Sequence, residues 1–424
     1  MRWRILDPME SEEKCEALGE QGLELIYDIC EVAKYRLPGS DQESKAQDYI
    51  QEKMNTFGAD EIETHEFYTH AKFFKWWPRL SLFFYIISLI VFPFSPLLTI
   101  VFILLMVSNI ILKLFSYTFF DVLFKKHPSR NVIGKIKPKN PGESGKSKRI
   151  LILGGHIDST YEFPLGRKYG KKMIRFYAFV FIMALIWFMM ALIQLIFDIV
   201  SGYGVFKIGE QITIGWYYWV IVAITPFIVW IAWNVVSSRP VQGANDNLSG
   251  IAVVTAALKY FSEHRPQNLG LWIVSFGSEE GGMAGSKALS KKLKQQMEKK
   301  EFSAESLWVI NFDSIAQNVP LIIATAEPMY RVKSHDPKVY NALARAAEKA
   351  GVDSILKKID AGTDSAPFSR LGIPSVGVIA AGKDGIPKNW HSREDVPEGC
   401  EVEGITNAIK IAIEFIKEID TSLE

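Results

Sequence analysis

Two histidines and several carboxylates stand at the ends of apolar runs in this chain, where such groups could hold cations. Asp246 lies in GANDNLSG, Gly243 to Gly250, a glycine-rich turn that opens a helix from Ile251 to His264 with apolar residues at helical spacing. An Asp there presents both oxygens to open space, so one carboxylate could bridge two cations. His156 and Asp158 sit in GGHIDS after the strand run ILILGG. A neutral imidazole at that position could bind metal, and a nearby carboxylate could fix its tautomer. Glu279 and Glu280 follow LGLWIVSFGS as an adjacent pair. Adjacent carboxylates repel, so the pair suggests a cation, with a solvated helix start as the other reading. Asp313 ends LWVINFDS and His391 lies in NWHSRED. Singly, each is an ordinary turn or strand-end residue. Together, the two His, three carboxylate ligands and one further Glu match what two neighbouring zinc ions need, with a bridging oxygen ligand and an open position for water.

The elements that would position these residues alternate along the chain. Glu12 to Arg36 and Asp41 to Phe57 read as helices around the turn LPGSD, and Glu61 to Tyr68 as a strand. Arg130 to Ile136 and Arg149 to His156 read as strands around a polar turn from Pro138 to Lys148, the second being a continuous apolar run of the kind buried in a sheet covered on both faces. After Pro240 come a helix to His264, a strand from Leu269 to Ser275, a helix from Gly285 to Lys299, and strands from Leu307 to Phe312 and Val319 to Thr325. A helix from Pro337 to Ala350, apolar runs at Ile355 to Ile359 and Ser375 to Ala380, and a closing helix from Ile405 to Ile419 complete the series. This order argues for an α/β fold with helices on both faces of a sheet, whose strand ends line a ligand crevice.

Composition adds a membrane. The 424 residues are 48% hydrophobic, and the excess sits in two blocks. Leu80 to Leu112 contains no charge and no histidine. As one helix it would be roughly 50 Å long against a hydrocarbon core of about 30 Å. Pro93 and Pro96 break it into two limbs joined by a tight turn, each near the minimum for crossing. Phe176 to Phe197 and Trp216 to Val236 each have the length of a spanning helix, and aromatic residues gather at Trp76, Trp77 and Trp216 to Trp219, as at headgroup level. The reading is two transmembrane helical hairpins. Each must cross an even number of times if the strands around it share one sheet. Lys72, Lys75, Arg79, Lys113, Lys125, Lys126, the run from Arg167 to Arg175 and Arg239 flank the hairpins on the sheet side, against Lys207 on the other, so the catalytic domain of this multi-pass protein is expected on the cytoplasmic side. A formal net charge of +1 offers nothing to nucleic acid. Cys15, Cys30 and Cys400 make neither a disulfide framework nor a CxxC site, which fits a reducing compartment. The amino terminus has no apolar core of a cleavable signal, so insertion is expected from inside the chain.

In this order and spacing, HID, GANDNLSG, SEEGGMAGS, NFDS, GTDSAPFSRLGIPSVG and WHSREDVPE resemble metallopeptidase family twenty-eight, the two-zinc aminopeptidases related to glutamate carboxypeptidase and glutaminyl cyclase. RLPGSDQESKAQDYIQEKMNTFGA is similar to the family's amino-terminal helix region, and the resemblance covers roughly Arg36 to Phe67 and Arg130 to Lys417 outside the membrane blocks. It implies a three-layer α/β sandwich with a mostly parallel central mixed sheet, here built from residues 1–72, 128–166 and 239–424, into which the membrane hairpins read from composition are inserted at 76–117 and 173–238. It further implies two Zn2+ per chain: His156 and Asp313 on one, Glu280 and His391 on the other, and Asp246 between them. Asp158 would orient His156, and Glu279 would be the general base acting on a peptide substrate.

The chain departs from the family between HIDS and GANDN, which usually lie close in sequence. Here the second hairpin intervenes, so the catalytic mouth is expected near the bilayer, where the hairpins either bring membrane-derived or hydrophobic peptides to the site or simply tether it. A catalytically silent receptor-like or scaffold member, a carboxypeptidase or other amidohydrolase, and a cyclase of amino-terminal glutamine, which uses one metal, are the other readings. His65, His70, His127, His264 and His335 read as surface groups, Asp364 is given no role, and Asp395 reads equally as a supporting residue or a helix cap.

Overall fold

The structure is a computed structural model and describes residues 8–70, 72–114, 119–141, 149–207, 214–300, 303, 306–382 and 385–423. Most of the expected turn from Pro138 to Lys148, and the end of the connection from Asp198 to Thr213, lie outside the described residues. The chain divides into two compact units: residues 1–71, 126–161 and 240–424, and residues 72–125 and 162–239.

The first unit begins with α1 (Pro8–Val32) and α2 (Asp41–Thr56), the latter capped by Ser40, whose Oγ accepts the Glu43 N–H at 3.2 Å. Helix α1 stops short of the expected Arg36, which leaves the helix and turns into the core. Strand β1 (Glu61–Thr69) follows. The second unit then supplies α3 (Lys72–Val91) and α4 (Pro96–Leu114). The first unit resumes with β2 (His127–Ile136) and β3 (Arg149–His156), the second with α5 (Pro164–Tyr169), α6 (Ile174–Val200) and α7 (Trp216–Val235). The rest belongs to the first unit: α8 (Ser249–Glu263), β4 (Leu269–Phe276), α9 (Ala284–Glu298), β5 (Leu307–Asp313), β6 (Leu321–Ala326), α10 (Pro337–Lys349), β7 (Ser354–Lys358), α11 (Ser365–Arg370), β8 (Ser375–Ala380) and α12 (Val402–Thr421).

The eight strands form one sheet in the order β1-β2-β4-β3-β5-β8-β6-β7. Its centre, β4-β3-β5-β8, is parallel, whereas β1, β2 and the β6–β8 pair add antiparallel joins. Strands β2 and β3 are not neighbours, although they follow one another in sequence, because β4 lies between them. An uninterrupted apolar strand such as β3 needs a hydrogen-bonded partner on each edge and a helix layer on each face, and parallel β4 and β5 provide the edges. Side chains divide between the faces with period two. Leu151 and Leu153 join Ile310 and Phe312 in the larger core under α1, α8, α10 and α12, whereas Ile152 joins Val309 with Leu289 and Leu293 of α9 and Phe368 of α11. His156 and Asp313 are therefore carried to the carboxyl ends of two adjacent parallel strands, β3 and β5.

In the second unit, α3, α4, α6 (with the short α5 ahead of it) and α7 supply the four stretches long and apolar enough to cross a membrane. Only 22–39% of each candidate span is buried within the protein, so most of their apolar side chains face outward, as lipid contact requires. The two hairpins are joined by polar groups inside the bundle: Trp187 Nε1 donates to Ser88 Oγ at 3.0 Å, Tyr85 and Thr225 hydroxyls meet at 3.0 Å, and Ser95 Oγ donates to the Val205 carbonyl at 2.7 Å. At the hairpin tips, Lys207 is buried against Asp198 with Nζ–Oδ2 3.0 Å. The cation that stood alone on that side of the sequence is thus neutralised.

Candidate metal centre

Five ligand-type side chains converge at the strand ends of the first unit. Asp246 lies between the imidazoles, with Oδ1 3.2 Å from His156 Nε2 and Oδ2 3.2 Å from His391 Nε2. Asp313 Oδ2 is 3.8 Å from His156 Nε2, and Glu280 Oε1 is 2.8 Å from His391 Nε2. Two three-residue groups result, His156–Asp246–Asp313 and Asp246–Glu280–His391, and within each the ligand atoms all lie within 4.8 Å of one another. Asp246 is common to both. The donor set of imidazole nitrogen and carboxylate oxygen is the one zinc takes, and a carboxylate with one oxygen toward each imidazole suits a bridge. Nδ1 of His156 lies 3.1 Å from the Asp158 carbonyl oxygen, which fixes its proton there and leaves Nε2 as the free lone pair.

Each ligand loop is held by groups from elsewhere in the fold. Asp158 turns its carboxylate less toward His156, 3.5 Å from Nδ1, than toward the backbone of the acidic pair: Oδ1 accepts the Glu279 N–H and Oδ2 the Glu280 N–H, both at 2.9 Å. Glu43 of α2 takes the preceding N–H, that of Ser278, at 2.6 Å, and the Ser278 hydroxyl at 2.9 Å. Asp395 accepts the N–H groups of Asn245 (2.7 Å) and Asp246 (3.1 Å), and so supports the Asp246 turn instead of capping a helix. Asn247 ties that turn to the end of β5, its Nδ2 donating to the Phe312 carbonyl at 2.9 Å and its Oδ1 accepting the Ser314 N–H at 3.2 Å. The turn needs its glycines: Gly243 has φ +63°, and a Cβ on Gly250 would stand 2.2 Å from the Phe312 carbonyl oxygen. Arg36, wholly buried, donates to the carbonyls of Ala33 (3.1 Å), Ile157 (2.7 Å), Gln242 (2.7 Å) and Gly243 (2.9 Å), so one guanidinium pins both the HIDS segment and the GANDN turn.

Residues 231–416 match the model of Peptidase family M28. That stretch contains Asp246, Glu279, Glu280, Asp313 and His391, while His156 and Asp158 precede the second hairpin. Among solved structures, the chain is similar to a glutaminyl cyclase from an Acidobacteriales bacterium, with TM-score 0.54, 15% identity and 95% of each chain covered. It is similar to a zinc aminopeptidase from Bacillus subtilis, with TM-score 0.54 and 14% identity over 93% of this chain and 94% of that one. A Zn-dependent exopeptidase from Parabacteroides distasonis gives TM-score 0.52 and 13% identity over 96% of this chain and 97% of that one. Identities this low establish the M28-type fold. No curated protein matches the sequence.

Arg36 and Glu43 are the residues of this candidate centre that sequence reading passed over, because neither stands at a strand end and a helix with Glu at its start is ordinary. His335 corrects an expectation. It is buried, not a surface group: its Nε2 lies 3.0 Å from Glu327 Oε1 and its Nδ1 2.7 Å from Ser369 Oγ. Glu327 also accepts the Thr363 N–H at 3.0 Å and the Ser365 hydroxyl at 3.0 Å, which fixes the turn carrying Asp364. Asp364 is fully buried and acts electrostatically on Glu279.

Burial pulls His391 down, but Glu280 and Asp246 outweigh it and lift the imidazole to about 10. Burial likewise opposes protonation of His156, and Asp158 and Asp246 raise it well above its ordinary value. Without a metal, protons on the two imidazoles supply the positive charge that the carboxylates demand. Glu279 is pushed well above the carboxylate range by burial and by Asp364, Glu280 and Asp313, against the pull of His156. It is also the one acid of the cluster that is not fully buried.

Two outcomes follow from these contacts. Arg36→Met leaves buried carbonyls at Ile157, Gln242 and Gly243 without donors. We expect a loss of at least about 3 kcal/mol of stability, with a fall in bound zinc measured by elemental analysis on the same sample. Unchanged metal content and unfolding midpoint would remove Arg36 from this role. The second concerns pH in metal-free protein. Burial, with Asp158 beside it, pushes Glu43 up to about 8, and burial with neighbouring acids pushes Asp364 and Asp395 up to about 7. Acids raised in the folded state favour folding fully below their ordinary values and lose that contribution as pH climbs through the raised ones. In chelator the thermal midpoint is therefore expected to fall between about pH 6 and 8, while the increment given by zinc grows. A metal-free midpoint that rises over this window contradicts the assignment.

Proposed function

We propose that this protein is a membrane-anchored zinc exopeptidase that removes amino-terminal residues from peptides. The observation that carries the proposal is the Asp246 carboxylate set between two imidazoles, each with one further carboxylate, beside the partly buried Glu279. His156 and Asp313 would hold one zinc ion, Glu280 and His391 a second, with Asp246 shared. Zinc bound there acidifies water and polarises the scissile carbonyl.

The chain's own groups do the rest. Glu279, whose carboxyl burial and the neighbouring acids push well above the carboxylate range, takes a proton from the attacking water and returns it to the leaving amine. Asp158 and Glu43 hold the backbone N–H groups of residues 278 to 280, so the carboxylate of Glu279 stays aimed while its neighbour Glu280 serves as a ligand. The charge balance favours an amine-bearing substrate. Asp246, Glu279, Glu280, Asp313 and Asp364 are five carboxyl groups against two divalent ions, which leaves no surplus positive charge for a carboxyl terminus and a good site for an ammonium.

The four apolar helices fit two membrane hairpins, and the excess of flanking cations on the sheet side supports a cytoplasmic peptidase unit. A cysteine at exposed Ser201, in the hairpin tip, is then expected to react with an impermeant maleimide on intact cells, and one at exposed Glu348 only after permeabilisation. The reverse pattern inverts the topology.

Hydrolysis of amino-acyl p-nitroanilides and amino-terminally blocked controls by the detergent-purified protein tests the chemistry. Unblocked substrates alone should be cleaved. Glu279→Gln should keep its zinc and lose roughly 10²- to 10⁴-fold in kcat. Cleavage of blocked or carboxyl-terminal substrates would reverse the exopeptidase direction, and pyroglutamate formation from glutaminyl peptides with one zinc per chain would make the protein a cyclase. Bound zinc with no turnover of any substrate would leave the receptor-like reading.

A further inference from the structure

The segment Arg167–Arg175, RKYGKKMIR, enters α6 with five cations and no acid. Arg167 is occupied, its Nε 3.1 Å from Oε1 of the buried Glu162. Lys168, Lys171, Lys172 and Arg175 are exposed, and among the described residues none has an acidic partner. Lys168 lies only over the ring of its neighbour Tyr169, at 5.4 Å. Other cations at this end of the bundle are already taken up by aromatic rings: the Arg79 guanidinium lies 5.4 Å from the Trp76 ring and 4.6 Å from that of Trp233, and Lys113 Nζ is 4.5 Å from the Phe74 ring. Among the free four stands Ile174, 69% exposed, an apolar side chain that water disfavours and an acyl layer accommodates. The opposite end is different, because Lys207 there is closed off by Asp198.

Four unneutralised cations in eight residues repel one another and need counter-anions. At the head of a spanning helix, the anions at matching depth are lipid phosphates, and each Lys or Arg near such a surface strengthens attraction to it roughly fivefold. We propose that Lys168, Lys171, Lys172 and Arg175 bind headgroup phosphates of anionic phospholipids in the leaflet from which α6 enters the membrane. Ile174 inserts beside them among the acyl chains. This rests on the membrane placement proposed above and not on the peptidase chemistry.

Full-length protein in nanodiscs of equal parts phosphatidylglycerol and phosphatidylcholine tests it, with the lipids retained after detergent extraction counted by mass spectrometry. Phosphatidylglycerol should be enriched at least severalfold over phosphatidylcholine, and the enrichment should fall as salt is raised on the unmodified protein. The combined variant Lys168→Gln, Lys171→Gln, Lys172→Gln, Arg175→Gln should lose most of it, retaining the two lipids nearly equally. A control with the same charge removed from the peptidase unit, Lys291→Gln, Lys294→Gln, Lys299→Gln, Lys300→Gln, should retain it. Equal retention of the two lipids by the unmodified protein, or full enrichment in the variant, overturns the lipid site alone. Full-length protein that stays soluble without detergent or lipid overturns the membrane placement beneath it. Peptidase activity is not read in this assay, so failure of the catalytic reading leaves its result intact.

Discussion

Asp158, Asp246, Glu280, Asp313 and Asp395 are all buried within one set of loops, and their mutual repulsion has to be met by groups brought in from elsewhere. Backbone N–H groups meet much of it. Asp158 and Asp395 each absorb two of them, and in doing so each fixes the loop that carries a different ligand. The two imidazoles flank Asp246 and hold it below the usual carboxylate range in spite of its burial. Arg36 is the only guanidinium wholly buried among the described residues, and it spends its donors on carbonyls and not on an acid. Its charge therefore remains available to the field around Asp158 and Asp395. The ligand-type groups are thus drawn together by a supporting ring of protein hydrogen bonds, which is the condition for a preorganised site.

The supporting ring explains why the amino-terminal segment belongs to the first unit although it carries no ligand-type residue of the centre. From Arg36 to Gln47 it reaches three of the five segments that carry ligand-type residues: Arg36 the HIDS and GANDN segments, and Glu43 the loop before Glu279, with Gln47 on the Ser275 carbonyl at the end of β4. Ser40 fixes where α2 begins, and that start determines which face presents Glu43. The turn at Gly39, with φ +65°, lets the backbone N–H there reach the same Glu43 carboxylate at 2.7 Å.

Alternation of strand and helix, the proline break in the first apolar block and every ligand-type residue were legible in the sequence because each depends on local pattern: period, run length, or an acid or histidine closing an apolar strand. What escaped was set by tertiary contact. Nothing local says that β4 should lie between β2 and β3, since that follows from the need of β3 for two parallel neighbours. His335 looked like a surface residue because its partners, Glu327 and Ser369, lie in separate elements. Arg36 follows a helix and precedes a Pro-Gly turn, a context in which an arginine is usually solvated, and only the folded chain shows its carbonyl partners. Asp158 was legible as a member of the centre, but its main hydrogen bonds run to a loop more than a hundred residues later.

The same logic accounts for a second hairpin inserted between Asp158 and Asp246 without disturbing their alignment. His156 is fixed by the register of β3 against β4 and β5, and Asp246 by Asp395, Asn247 and Arg36, none of which depends on the length of the connection. Where the insertion leaves the first unit, its two ends are tied together: Val241 donates its N–H to the Thr160 carbonyl at 2.9 Å, and Tyr161 pairs with Pro240 as an antiparallel bridge. Just inside that neck, Ser159 donates its N–H to the Arg36 carbonyl at 2.9 Å, so the residue that pins both ligand segments also holds the point where the insertion begins. Closing a loop costs only about 0.6 kcal/mol more for each doubling of its length. With its ends already joined, the apolar helical hairpin is carried by the first unit at small entropic cost, and the geometry of the ligand-type residues is decided on the near side of the neck.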